Sequence, residues 1–238
     1  MASEIQTVNL GFVNSYLLEV SQGFVLVDTG IRNKRDILEK ALNSAGCGPG
    51  NLKLIIITHG DMDHSGNAAY LRDKFKTKIA MHRNDSQMVE EGKMMSKRRL
   101  KSFLMRMIFA IMRFTGGMQK AAARFEKFKP DIYLEDEQSL RDHGLDAKVL
   151  HLPGHTKGSL GLLTESGDLI AGDTLQNRRS PSSSTIIENE AELSSSIEKL
   201  SNLSIKTVYP GHGNPFQWEQ FAASLNPQKA KESRAFHR

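Results

Sequence analysis

The sequence predicts an α/β (α+β) fold, and three observations lead there. Residues 52–58 hold a Leu-Ile-Ile-Ile core, the continuous apolar run of a strand buried on both faces. Helical patterning over residues 65–75 and a further strand pattern over 77–82 follow it, so strand and helix alternate. Short β-rich runs bounded by turn signals open the chain and return after residue 147.

Taken in order, residues 12–20 and 24–28 read as a hairpin around Ser21-Gln22-Gly23. Residues 36–43 place Ile37, Leu38, Ala41 and Leu42 at helical spacing, and the glycine cluster at 46–50 ends that helix. After the strand at 52–58, the helix at 65–75 and the strand at 77–82, residues 87–128 read as helices broken at Gly116-Gly117. Strands are expected at 147–152, 158–163, 169–171 and 205–209, with a helix at 188–200. The expectation is a single domain over residues 1–225 with a helical insertion at about 87–129. A basic, aperiodic tail at 226–238 is expected to be disordered.

The 238 residues include one cysteine, Cys47, which excludes an internal disulfide framework and a metal site built mainly from thiolates. The start lacks the basic, apolar and small-residue segments of a secretory signal, so the expected location is cytoplasmic. The longest apolar stretch, 103–114, is interrupted by Arg106 and falls short of the roughly 20 residues that cross a bilayer. Net charge is +5 and unevenly spread. Residues 93–129 hold eleven Lys and Arg against the acid Glu126, a net of +10, which leaves −5 for the rest.

Four metal-ligand candidates crowd one turn after the buried strand: His59, Asp61, Asp63 and His64. Imidazole and carboxylate together suit zinc, iron or manganese. By itself the cluster reads equally as a polar, helix-capping turn. Three more candidates occupy glycine-flanked strand ends and break that tie: His155 after Pro153-Gly154, Asp173 after Gly172 and His212 after Gly211.

With these residues the chain resembles the metallo-β-lactamase superfamily, whose pattern is His-x-His-x-Asp-His followed by Gly-His, Gly-Asp and Gly-His. The resemblance covers roughly residues 14–214 and includes the turn Val27-Asp28-Thr29-Gly30. It implies a four-layer αββα sandwich with metals at one edge of two packed sheets. By position, His59, Asp61 and His155 would hold one divalent metal. Asp63, His64 and His212 would hold a second, with Asp173 between them. Zinc is the family's implication, but Asp61 stands where the pattern has a second histidine, and its anionic oxygen shifts preference toward iron or manganese. His82, His143 and His151 match no ligand position and read as structural or surface residues. Asp28, Thr58 or Thr156 would orient the ligand rings.

The mechanism that follows is hydrolysis of an ester, thioester or lactone by hydroxide shared between two metals, with Asp63 as the catalytic carboxylate that orients the nucleophile. The run Gly172-Asp173-Thr174-Leu175 is similar to the glyoxalase II thioesterases. A diiron redox or oxygen-reactive protein is the alternative, because diiron flavoproteins of the superfamily carry a glutamate at the position of Asp61. A non-catalytic binding module is the remote one. The partner expected is a small-molecule substrate, acyl or anionic. The basic insertion reads as a lid, as a solvated cover for the core, or as a contact with anionic membrane. No nucleic-acid partner is expected, since stacking aromatics are few.

Overall fold

Each central strand faces two cores, because successive side chains point to opposite sides of a sheet. Val25, Val27, Leu54 and Ile56 turn one way, while Leu26, Ile55 and Ile57 turn the other. The computed structural model describes residues 4–93, 98–100, 103–117, 120 and 123–225. Its first sheet has the order β1 (Ile5–Asn9), β2 (Asn14–Val20), β3 (Gly23–Val27), β4 (Leu52–Ile56), β5 (Ile79–Met81) and β7 (Ile132–Tyr133). The hairpin register is Tyr16↔Val27 to Val20↔Gly23, whereas β3, β4, β5 and β7 run parallel.

The second sheet has the order β15 (Phe216–Gln217), β14 (Thr207–Pro210), β10 (Asp168–Gly172), β9 (Leu160–Thr164) and β8 (Ala147–His151). It is antiparallel except for β10 and β14. Tyr16, Leu18, Val25 and Ile56 meet Val149, Leu160, Leu162 and Ile170 between the two sheets. Outside the first sheet, Leu26 and Ile55 pack with Leu38 and Leu42 of α1 (Arg35–Ser44), Leu71 and Phe75 of α3 (Ala68–Phe75) and Val89 of α4 (Arg83–Glu91). Outside the second, Leu163 and Leu169 pack with Leu200 of α6 (Glu190–Ser201) and Phe221 of α7 (Trp218–Leu225). Three apolar interfaces therefore separate four layers in the order α, β, β, α.

The expected elements form, with differences that have local causes. The helix expected at 65–75 starts earlier, as α2 (Met62–Ser65), and breaks before α3. Residues 87–129 are not purely helical. The helix there begins at Arg83, capped by His82 Nδ1 accepting from Asn84 N, and α5 (Phe103–Phe114) follows a short strand, β6 (Arg99–Leu100). That strand exists because β13 (Ile186–Ile187) offers its backbone in antiparallel register, Ile186↔Leu100 and Ile187↔Arg99. A second short pair joins β11 (Leu175–Gln176) to β12 (Ser182–Ser183). The tail at 226–238 lies outside the described residues. No helix among the described residues is long and apolar enough to cross a membrane.

Candidate metal centre

The carboxyl ends of strands from both sheets deliver the candidate residues to one place. His59, Asp61, Asp63 and His64 follow β4, His155 follows β8, Asp173 follows β10 and His212 follows β14. Two clusters result. One ligand atom each from His59, His155 and Asp173 lies within 4.8 Å of the others, and the same holds for Asp63, His64 and His212. Asp173 touches both, with Oδ2 3.7 Å from His155 Nε2 and 3.2 Å from His212 Nε2, and Oδ1 3.3 Å from His64 Nε2. Asp61 Oδ2 faces the first cluster, 3.4 Å from His59 Nε2 and 3.2 Å from His155 Nε2.

All four histidines present Nε2 inward because Nδ1 is tied outward. His64 Nδ1 donates to Asp28 Oδ2 at 2.7 Å, His155 Nδ1 donates to the carbonyl of Ile186 at 2.7 Å, and His212 Nδ1 donates to the carbonyl of Phe12. His59 Nδ1 lies 3.0 Å from Thr58 Oγ1. The Thr58 hydroxyl gives its proton to Asp28 Oδ2, so it accepts from the His59 ring. An imidazole that donates from Nδ1 keeps the Nε2 lone pair for a metal. Asp28 and Thr58 thus orient rings. Thr156 does not: its hydroxyl bonds Asp85 Oδ2 at 2.7 Å.

Asp85 is a residue that sequence reasoning missed. Buried at the start of α4, it accepts from Gly60 N and Gly158 N as well as from Thr156, and so fastens the loop of His59 to the loop of His155. Nothing local distinguishes it from other helical aspartates. Space is equally tight around Gly211, where a Cβ would stand 2.3 Å from Asp173 Oδ1 and 2.7 Å from His64 Cε1. Only glycine lets the His212 loop come this close.

The second missed residue is Arg98. Its side chain is 3% exposed, its Nη1 bonds Asp61 Oδ2 and lies 3.4 Å from His155 Nε2. One cation of the basic insertion is therefore inside the centre. His82 and His151, by contrast, stack on each other at 4.0 Å, and His143 sits in a single helical turn at the surface. A cavity of about 630 Å³ opens beside α2, lined by Ile31, Arg32, Met62, Arg124 and Phe125 among others, and none of the seven candidates lines it.

The electrostatics are those of a buried site rich in anions. Burial pushes the Asp173 carboxyl up, but His212 and His64 outweigh it and hold it well below the usual carboxylate range. Burial also opposes ionisation of Asp61, and Arg98, His155 and His59 reverse that. Burial disfavours charge on His64, yet Asp173, Asp28 and Asp63 raise it well above an ordinary histidine. His59 is lowered by burial and by its neighbour His64. Such a centre draws positive charge. His59 Nε2, His64 Nε2, Asp61 Oδ1 and Asp173 Oδ1 are buried without a hydrogen-bond partner, which is rare for polar atoms and is what a metal ion would satisfy. The donors present fit divalent metal.

Comparison with known proteins bears on the family and the fold. A protein of Caenorhabditis elegans named Beta-lactamase-like protein 2 homolog is 23% identical over 201 residues, which is 84% of this chain and 55% of that protein. The hydroxyacylglutathione hydrolase GloC of Haemophilus influenzae is 27% identical over 132 residues, 52% of this chain and 50% of its own length. The chain thus spans about half the length of these curated relatives. A solved metallo-beta-lactamase family protein of Thermus thermophilus superposes with a TM-score of 0.72 at 23% identity, covering 98% of this chain and 80% of that one. Residues 8–212 match the profile of the metallo-beta-lactamase superfamily, and the chain belongs to that superfamily.

Proposed function

We propose that the chain is a metallo-hydrolase that cleaves an ester, thioester or lactone bond. The observation that carries this reading is the convergence of four Nε2 atoms and three carboxylates, with every Nδ1 bound outside the centre. His59, His155, Asp173 and Asp61 would hold one divalent ion, and Asp63, His64, His212 and Asp173 the other. Bound there, a pair of ions supplies ionisation of water near neutral pH and polarisation of the bond to be cleaved.

The chain's own residues do the rest. Asp63 has a side chain 29% exposed, the most open carboxylate of the centre, with Oδ2 3.5 Å from His212 Nε2. It is placed to accept a proton from water arriving at the mouth. Asp28 and Thr58 keep His64 and His59 in the tautomer that leaves Nε2 free. The name of the Haemophilus relative supports an acyl substrate. Arg98 meets the charge of Asp61 in the chain without metal.

Zinc-loaded protein is expected to hydrolyse at least one of an aryl ester, an acyl thioester and a lactone. Asp63→Asn is expected to lower kcat by about 100-fold or more on that substrate. No turnover of any of the three, or full activity in Asp63→Asn, would refute the assignment.

A further inference from the structure

We infer that Arg98 is a resident cation of the first metal cradle, competing with metal for Asp61, so that the two cradles differ in affinity and the one built on Asp63, His64 and His212 fills first. This rests on the metal-centre reading above. The oxygen of Asp61 that Arg98 holds is Oδ2, the same atom that faces His59 Nε2 at 3.4 Å and His155 Nε2 at 3.2 Å. Arg98 Nη1 is itself 3.4 Å from His155 Nε2. With Nδ1 held by the Ile186 carbonyl, His155 turns Nε2 toward both the guanidinium and Asp61 Oδ2. Nη1 therefore draws on two of the donors a first metal would use.

The placement is built into the fold. Arg98 immediately precedes β6, and β6 pairs with β13, whose Ile186 carbonyl also orients His155. One two-residue strand thus sets both the ligand ring and the cation beside it. Burial opposes the charge of Arg98, and Asp61, with Asp85 and Glu188 behind it, more than compensates. A guanidinium stays charged at any physiological pH, so a metal entering the first cradle meets a fixed positive charge and competes with it for the Asp61 carboxylate. The substitution of aspartate for the superfamily's second histidine belongs to the same device: an anionic oxygen can pair with arginine, and a neutral imidazole cannot form that ion pair.

The test is zinc titration by calorimetry of the full chain, stripped by dialysis, for wild type, Arg98→Met and Arg98→Gln. Wild type should take one equivalent tightly and a second more weakly. In both variants the second equivalent should tighten by about tenfold or more, and Asp61→Asn added to Arg98→Met should remove the gain. Equal affinities in wild type, or no tightening in either variant, would overturn the proposal while leaving the metal centre standing. Absence of zinc binding in all proteins would overturn both. Failure of both variants to fold would also count against it, because a guanidinium that the fold depends on cannot yield its place to a metal.

Discussion

Asp28 holds two histidine-bearing segments at once. Its carboxylate accepts from Thr58 N, Thr58 Oγ1 and His64 Nδ1, and its backbone sits at φ 58° in the left-handed region, which asparagine also tolerates. Asp28→Asn therefore keeps the backbone and removes the charge. It is expected to weaken zinc affinity about 10- to 100-fold, read by competition with a chromophoric chelator. An unchanged affinity would show that the His64 ring is set by packing instead. At this scale the sequence was most informative where candidate ligands recur: His59 to His64 share one turn, and His155, Asp173 and His212 each follow a glycine at a strand end. Arg98 and Asp85 were illegible for a different reason. Eleven cations lie between 93 and 129, and which one turns inward depends on a backbone pairing with a segment far along the chain, Ile187 with Arg99.

Elements that carry their own periodicity were readable, and short strands with little of it were not. The helices at 35–44 and 190–201 and the strands at 52–56 and 147–151 carry their own periodicity. β1, β6 and β15 are short edge or paired strands with little apolar content, so nothing in them announces a partner. Between the two sheets a loop carboxylate supplies a further link. Asp136, between β7 and β8, accepts from His151 N at 2.7 Å and from Lys199 Nζ of α6 at 2.5 and 2.7 Å. Burial pushes its carboxyl up, but Lys199 and the His151 N–H outweigh that and lower it. A carboxyl lowered on folding stabilises at all pH above its unfolded value, about 3.9, and that contribution disappears as pH falls through the folded value. Asp136→Asn should thus be less stable than wild type in urea near neutral pH, by under about 1 kcal/mol because the pair is partly exposed. The gap should close in strong acid. A gap that persists there would mean that hydrogen bonding, and not charge, is what Asp136 contributes.

For the whole molecule, the centre sits where both sheets end, so an ion held there ties the two halves together. Zinc in about 100-fold excess over its dissociation constant adds about 2.7 kcal/mol to stability, which is a rise of roughly 5–10 °C in melting temperature for a chain of this size. A chelator should reverse it, and a melting curve indifferent to both would exclude tight, folded-state metal. The sandwich itself was foreseeable only through family resemblance, since alternation of buried faces reveals that a strand has two cores but not which sheet lies opposite. Asn14 and Tyr16 supply that information in space: their side chains bond the carbonyls of Pro210 and Gly213, up to 199 positions along the chain. Contacts so far apart in sequence close late, because loop entropy must be overcome before they contribute. During synthesis His212 leaves the ribosome long after His59, so a metal bound by the cradle of Asp63, His64 and His212 would find its full set of ligands only after the second sheet has emerged.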